Sequence, residues 1–156
     1  MNSGPTPLFR SSGQRGFSTT LSDDHHHVVA RKLERAVQVR FTSEACTVQT
    51  PEGVVHARPG DAILTGIAGE RWRVSRPHFA EKYRPIPPIQ AGEAGAYLSL
   101  RTRILAVQMP EAFEVLLADG QSKLTGRASD WLVDYGDGSL GIVSQAIFAT
   151  TYEIID

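Results

Sequence analysis

The chain has 156 residues, 41% hydrophobic and 21% charged, with a formal net charge of -1; this balance excludes a disordered chain and a uniformly basic nucleic-acid binder. No apolar run approaches the roughly 20 residues of a membrane-spanning helix, and the single cysteine, Cys46, excludes an intramolecular disulfide. A chain of this length makes one ordinary domain or two very small ones, and a unit of about sixty residues is marginal alone, so two such units would need each other's surface.

Residues 1–27, MNSGPTPLFRSSGQRGFSTTLSDDHHH, are rich in Ser, Gly, Thr and Pro and read as a disordered, mobile tail. Up to Thr20 the tail carries Arg10 and Arg15 with serines and no acid, a composition shared by organelle transit peptides and disordered bacterial N-termini. The few arginines and the lack of a helical apolar face favour the second. Asp23, Asp24, His25, His26 and His27 are metal-binding residue types, but consecutive residues on a flexible chain do not enclose an ion. A polar tail is expected there, with no metal site and no cofactor.

From Val28 onward short apolar or alternating runs are separated by turn residues. Strands are expected at 36–41, 46–50, 53–58, 61–66, 71–75 and 82–86. The flanks of Cys46 place it in the second of these, as a buried, inert thiol. Pro51, Glu52 and Gly53 make one tight turn and Gly66 to Gly69 another. Pro59, Gly60 and Asp61 turn the chain into AILTG, the proline through its fixed φ and the glycine through its freedom. A helical turn then starts at Ser75 as N-cap, with Pro77 tolerated in the first turn and Phe79 directed into the core. Residues 87–102 open with PPIQAGEAGAY and read as a linker. Strands follow at 103–109, 112–118, 130–135, 139–144 and 152–155, with a second helical turn before the last.

Placing Asp61 on Asp130 aligns two closing segments without a gap: Gly69 meets Gly138, Val74 meets Val143, Ser75 meets Ser144, Phe79 meets Phe148 and Tyr83 meets Tyr152. Upstream, Ala36-Val37-Gln38 recurs as Ala106-Val107-Gln108, and Gly53 as Gly120. A duplicated unit of roughly seventy residues is expected. The resulting reading is mainly β: two tandem SH3-like small β-barrels, at 28–86 and 103–156, packed on each other, with closure removing exposed sheet edges. One larger sheet or sandwich built by both copies is the alternative.

The combination of AVQ, PGD before an apolar run, TGxxGERW, VSRPHFAEKY and RPIPP resembles the bacterial PGDYG proteins, over residues 31–86 best. The second copy departs from that pattern, with Ala128 in place of Pro59, Ser129 in place of Gly60 and Ser139 in place of Glu70. The resemblance implies a bacterial cytoplasmic protein and supplies no catalytic residues.

No nucleophile or acid/base pair shows the spacing that a third, orienting group would need, so no catalytic residues are assigned. In a strand, Glu70 and Trp72 share one face while Arg71 and Arg73 share the other; Trp72 is expected in the core and both arginines in solvent. Residues 28–90 hold ten Lys or Arg against six Asp or Glu, about +4; residues 91–156 hold four against nine, about -5. Such opposition favours docking of the copies, or of neighbouring chains as a homo-oligomer. The preferred function is a non-catalytic binding or adaptor module for a protein or small ligand, using Glu70, Arg71, Arg73, Arg76 and His78. Two alternatives stand: anion or nucleic-acid binding by the basic copy through Arg58, Arg71, Arg73, Arg76 and Arg84, and a small hydrolase or metal-dependent regulator using His56, His78 and Glu70.

Overall fold

Short strands broken by glycine and proline turns make up most of the regular secondary structure, and a computed structural model describes residues 5–156. In chain order the elements are β1 (Leu8–Arg10), α1 (Thr19–Ser22), β2 (Val28–Lys32), β3 (Ala36–Phe41), β4 (Cys46–Thr50), β5 (Gly53–Ala57), β6 (Ala62–Thr65), β7 (Arg71–Val74), α2 (Arg76–Lys82) and β8 (Tyr83–Pro85). They continue with β9 (Gly95–Ser99), β10 (Arg103–Gln108), β11 (Phe113–Leu116), β12 (Lys123–Gly126), β13 (Trp131–Asp134), β14 (Leu140–Val143), α3 (Gln145–Thr151) and β15 (Tyr152–Ile154). Two units divide the chain: Lys32–Thr102, and Met1–Arg31 together with Arg103–Asp156.

In the Lys32–Thr102 unit a five-stranded sheet runs β7-β6-β3-β9-β8, and β4 and β5 form a separate two-stranded sheet. Alternation along β3 and β6 sends Val37, Val39, Ala62 and Leu64 to one face, where they bury Phe79, Tyr83 and Tyr97. Full burial of each large apolar side chain contributes about 1.5–3 kcal/mol. On the opposite face Ile63 joins Val48 and Ala57 in a smaller cluster, with the half-buried Cys46 against it.

The second unit has a five-stranded sheet in the order β14-β13-β10-β2-β15 and a three-stranded sheet β1-β11-β12. Ile104, Ala106, Val133 and Phe148 lie in its core beside Trp131 and Tyr152. Strands β7, β6, β3, β9 and β8 therefore have β14, β13, β10, β2 and β15 as positional counterparts. The fourth strand of each sheet precedes, in the chain, the central strand of the other.

Several expectations are corrected. The sheets are open and not closed into barrels, because each small hairpin, β4-β5 or β11-β12, pairs outside the five-stranded sheet and does not join its two edges. The stretch 87–102, read as a linker, contributes β9, which pairs with β3 through Val37↔Tyr97 and buries Tyr97 to 1% exposure. Residues 1–4 of the expected tail lie outside the described residues, and the rest is not structureless: β1 and α1 lie within it, and Leu21 is buried. The Ala-Val-Gln match is also off register. Pairing of Phe41 with Ala62 and of Gln108 with Trp131 carries Ala36 onto Arg103 and Val39 onto Ala106. An offset of three residues would reverse the in-and-out alternation, so a local identity yields to the buried face.

The Pro-Gly-Asp turn shows why its residue types are needed. Asp61 Oδ2 accepts from Arg58 N–H at 2.8 Å, Asp61 N–H donates to Arg58 O, and Gly60, at φ +92, donates to Thr42 O at 2.7 Å. Asp130, Arg127, Ser129 and Met109 repeat every one of these bonds, although Ser129 sits at φ +79 with a side chain that disfavours that region. Ser129→Gly is therefore expected to raise stability by about 0.5–1 kcal/mol, read as a higher urea midpoint with an unchanged slope.

Candidate functional site

In the unit that contains both termini, residues 7–18 form a strap across the sheet ends. β1 pairs in parallel with β11, with Phe9 opposite Val115. Glu114 N–H donates to Pro7 O at 2.8 Å, and Ser11 N–H donates to Leu116 O at 3.0 Å. The strap then crosses to the β13-β14 turn. Leu140 N–H donates to Ser11 Oγ at 2.9 Å, and the amides of Gly13 and Gly16 donate to the carbonyls of Gly138 and Gly136. A Cβ on Gly138 would lie 2.6 Å from Gln14 N, so the crossing backbone rests directly on this glycine. Beyond it the amide and hydroxyl of Ser18 both donate to Oδ2 of the buried Asp134, whose Oδ1 accepts from Gly136 N–H. The strap thus satisfies polar groups on two elements at once.

The Lys32–Thr102 unit has no such strand among the described residues, since β4 pairs only with β5. In its place lies an open cleft of about 380 Å³ between the end of β4 and the β6-β7 turn, lined by Gln49, Thr50, Pro51, Gly69, Glu70 and Arg71. With Asp61 laid on Asp130, sheet register makes the first three the counterparts of Leu116, Leu117 and Ala118. The last three are the counterparts of Gly138, Ser139 and Leu140. The cleft is thus the seat that Ser11 to Gln14 fill in the other unit. A Cβ on Gly69, at φ +79, would meet nothing within 4 Å.

The walls of the two seats differ chemically. Leucines and an alanine line the filled one, whereas Gln49, Thr50 and Arg71 make the open one polar. Glu70 Oε1 accepts from Ala68 N–H at 3.1 Å, which turns its carboxylate toward its own turn. Arg71 is exposed and makes no side-chain hydrogen bond or ion pair among the described residues.

Of the residues expected to bind a ligand, Glu70 and Arg71 line the cleft. Arg73 was expected in solvent. Its side chain is instead only 18% exposed and pairs with Asp61 Oδ2 at 3.3 Å, leaving Nε buried with no partner. Arg76 lies on α2 with its guanidinium over the Phe41 ring, 4.2 Å from the centroid, a cation–π contact that covers the core. His78, on the same helix, is half-buried and absent from the cleft lining. Among the described residues no group of three or more His, Cys, Asp and Glu side chains could hold a metal ion, which covers the trio His56, His78 and Glu70. Sequence reasoning missed Gln49, Thr50 and Pro51; the signal lay in the polarity change from Leu116, Leu117 and Ala118, visible only once the register is known.

No helix among the described residues is long and apolar enough to cross a membrane. The family described as PGDYG protein matches residues 53–153, reaching well past the 31–86 span of the motifs into the second half of the chain. No curated protein and no solved structure matches.

Proposed function

The chain belongs to the PGDYG protein family, and from the cleft in its Lys32–Thr102 unit we propose a non-catalytic binding module that accepts an extended segment of another protein. One observation carries this reading: the cleft occupies the position at which the other unit seats the chain's own strap. A backbone that enters it meets the open edge of β4, where Thr47 and Gln49, the counterparts of Glu114 and Leu116, present their main-chain groups. Strand addition supplies affinity through such groups and specificity through the side-chain pockets beside them.

The reading includes descent of the two units from one duplicated segment. Matching strand orders, the two identically bonded aspartate turns, and Phe79 and Phe148 stacked on Tyr83 and Tyr152 support it. One copy keeps its seat filled by the strap and the other leaves it open for a partner. A cytoplasmic location belongs to the same reading, in keeping with a lone cysteine.

Selection of phage-displayed dodecapeptides on the full chain tests this. Gln49→Trp, at an exposed edge-strand position, fills the cleft with a residue that suits a strand. Selected peptides are expected to lose at least tenfold in affinity on the Gln49→Trp chain while its melting temperature holds. Equal binding to both chains would place the peptide site elsewhere and overturn the proposal.

A further inference from the structure

Resting on the cleft reading, we propose that the segment it accepts carries an acidic side chain at one defined place, the position that Ser11 holds in the strap. The register supplies the place. Ser11 Oγ accepts from Leu140 N–H at 2.9 Å, and Arg71 is the counterpart of Leu140. A side chain that projects from that point in the open cleft arrives at the main-chain N–H of Arg71, a residue that lines the cleft and whose side chain is exposed.

The charge of the seat favours a carboxylate there. Arg71 is exposed at the cleft wall without a side-chain partner among the described residues, while the neighbouring Glu70 carboxylate is held by Ala68 N–H. Arg73, two residues along the same strand face, is already paired with Asp61, which leaves Arg71 as the exposed guanidinium of β7. Lys32–Thr102 holds ten Lys or Arg against seven Asp or Glu, so the surrounding field is positive as well.

The strap of a second copy fits this seat less well. It carries Arg10 and Arg15 and no acid between residues 7 and 16, so its charge has the same sign as that of Arg71. Charge thus separates the two possible occupants, and the acidic segment of a different protein is the one the cleft selects.

Three synthetic decapeptides with the sequence of residues 7–16 test the inference: the unchanged peptide, its Ser11→Asp form and its Ser11→Lys form. Each is titrated into the 15N-labelled full chain, with the amides of Gln49, Gly69 and Arg71 as reporters. The Ser11→Asp peptide is expected to bind about fivefold tighter than the Ser11→Lys peptide at low salt, less so at high salt, with the order reversed on an Arg71→Glu chain. Equal binding of all three at these amides would overturn the acidic preference and leave the cleft reading standing. Tightest binding by the unchanged peptide would do the same and identify a second copy's strap as the occupant. Shifts confined to Glu114, Leu116 and Gly138, or no shifts at all, would overturn the cleft reading and this inference with it.

Discussion

Asp61→Ala is expected to destabilise the Lys32–Thr102 unit by about 3–5 kcal/mol, the cost of removing one partner from a buried ion pair. Asp61 is 5% exposed and its Oδ2 accepts from both Arg58 N–H and the Arg73 guanidinium. Without it, Arg73 keeps a buried charge whose Nε already has no partner. The other unit supplies an internal control. Asp130 makes the same bond to the backbone, with Arg127 N–H at 3.0 Å, but Ile142 stands where Arg73 would be. Asp130→Ala therefore loses the hydrogen bonds from the Arg127 and Gln145 amides but strands no buried charge, and is expected to cost about 1–2 kcal/mol. Asp61→Ala combined with Arg73→Ile, which copies the Ile142 arrangement, is expected to recover most of the loss. Urea unfolding of the four chains decides between these outcomes. A double variant no more stable than Asp61→Ala would show that the aspartate acts through the turn alone.

That comparison also marks how much of the molecule was legible in residue order. The segments from Asp61 to Tyr83 and from Asp130 to Tyr152 align without a gap because turn and cap residues are fixed by local geometry. The Asp-to-backbone bond needs an acid three residues after its donor, and a serine precedes each helix, Ser144 capping α3 through Ile147 N–H while Ser75 makes no side-chain bond to α2. Upstream the same logic fails. Phe41 faces Ala62 in one sheet and Gln108 faces Trp131 in the other, so the large aromatic has moved from the central strand to its neighbour. Two adjacent positions exchange volume while the space stays filled, and neither column of an alignment keeps its residue type. Cys46 against Ala57 and Phe113 against Gly126 repeat the exchange, the ring of Phe113 occupying the room that a Cβ on Gly126 would need.

The strap and β9 were illegible for a different reason. Leu8–Arg10 is only three residues long amid Ser, Gly and Pro, and Gly95–Ser99 begins in a glycine- and alanine-rich run. Each is a strand because a partner edge, β11 or β3, holds it there. Tertiary pairing overrides weak local preference in such segments. The cleft shares this limit: Glu70 and Arg71 stood out because their types are not kept at Ser139 and Leu140, but the other wall, Gln49 to Pro51, is recognised only against the strap that fills the matching place, which no local pattern announces.

The aromatic stacks give the other large expected effect. Phe79 is 4% exposed, stacked on Tyr83 with centroids 4.9 Å apart, and meets Phe41 and Tyr97 edge-on at 5.3 and 4.9 Å. Phe148, also 4% exposed, lies between Trp131 at 4.1 Å and Tyr152 at 5.1 Å. Replacing either with alanine is expected to cost about 3–5 kcal/mol, because neighbouring rings anchored on strands do not collapse into the space. Leucine at either place restores part of the volume and is expected to cost less than alanine. The ring contacts separate the sites further: Phe79→Leu loses three aromatic partners and Phe148→Leu loses two, each pair contributing about 0.5–1.5 kcal/mol beyond area. Phe79→Leu should therefore be the more damaging of the two in urea unfolding. The reverse order would mean that the Trp131 stack, the tightest ring pair of the seven observed among the described residues, dominates its unit despite the smaller number of partners.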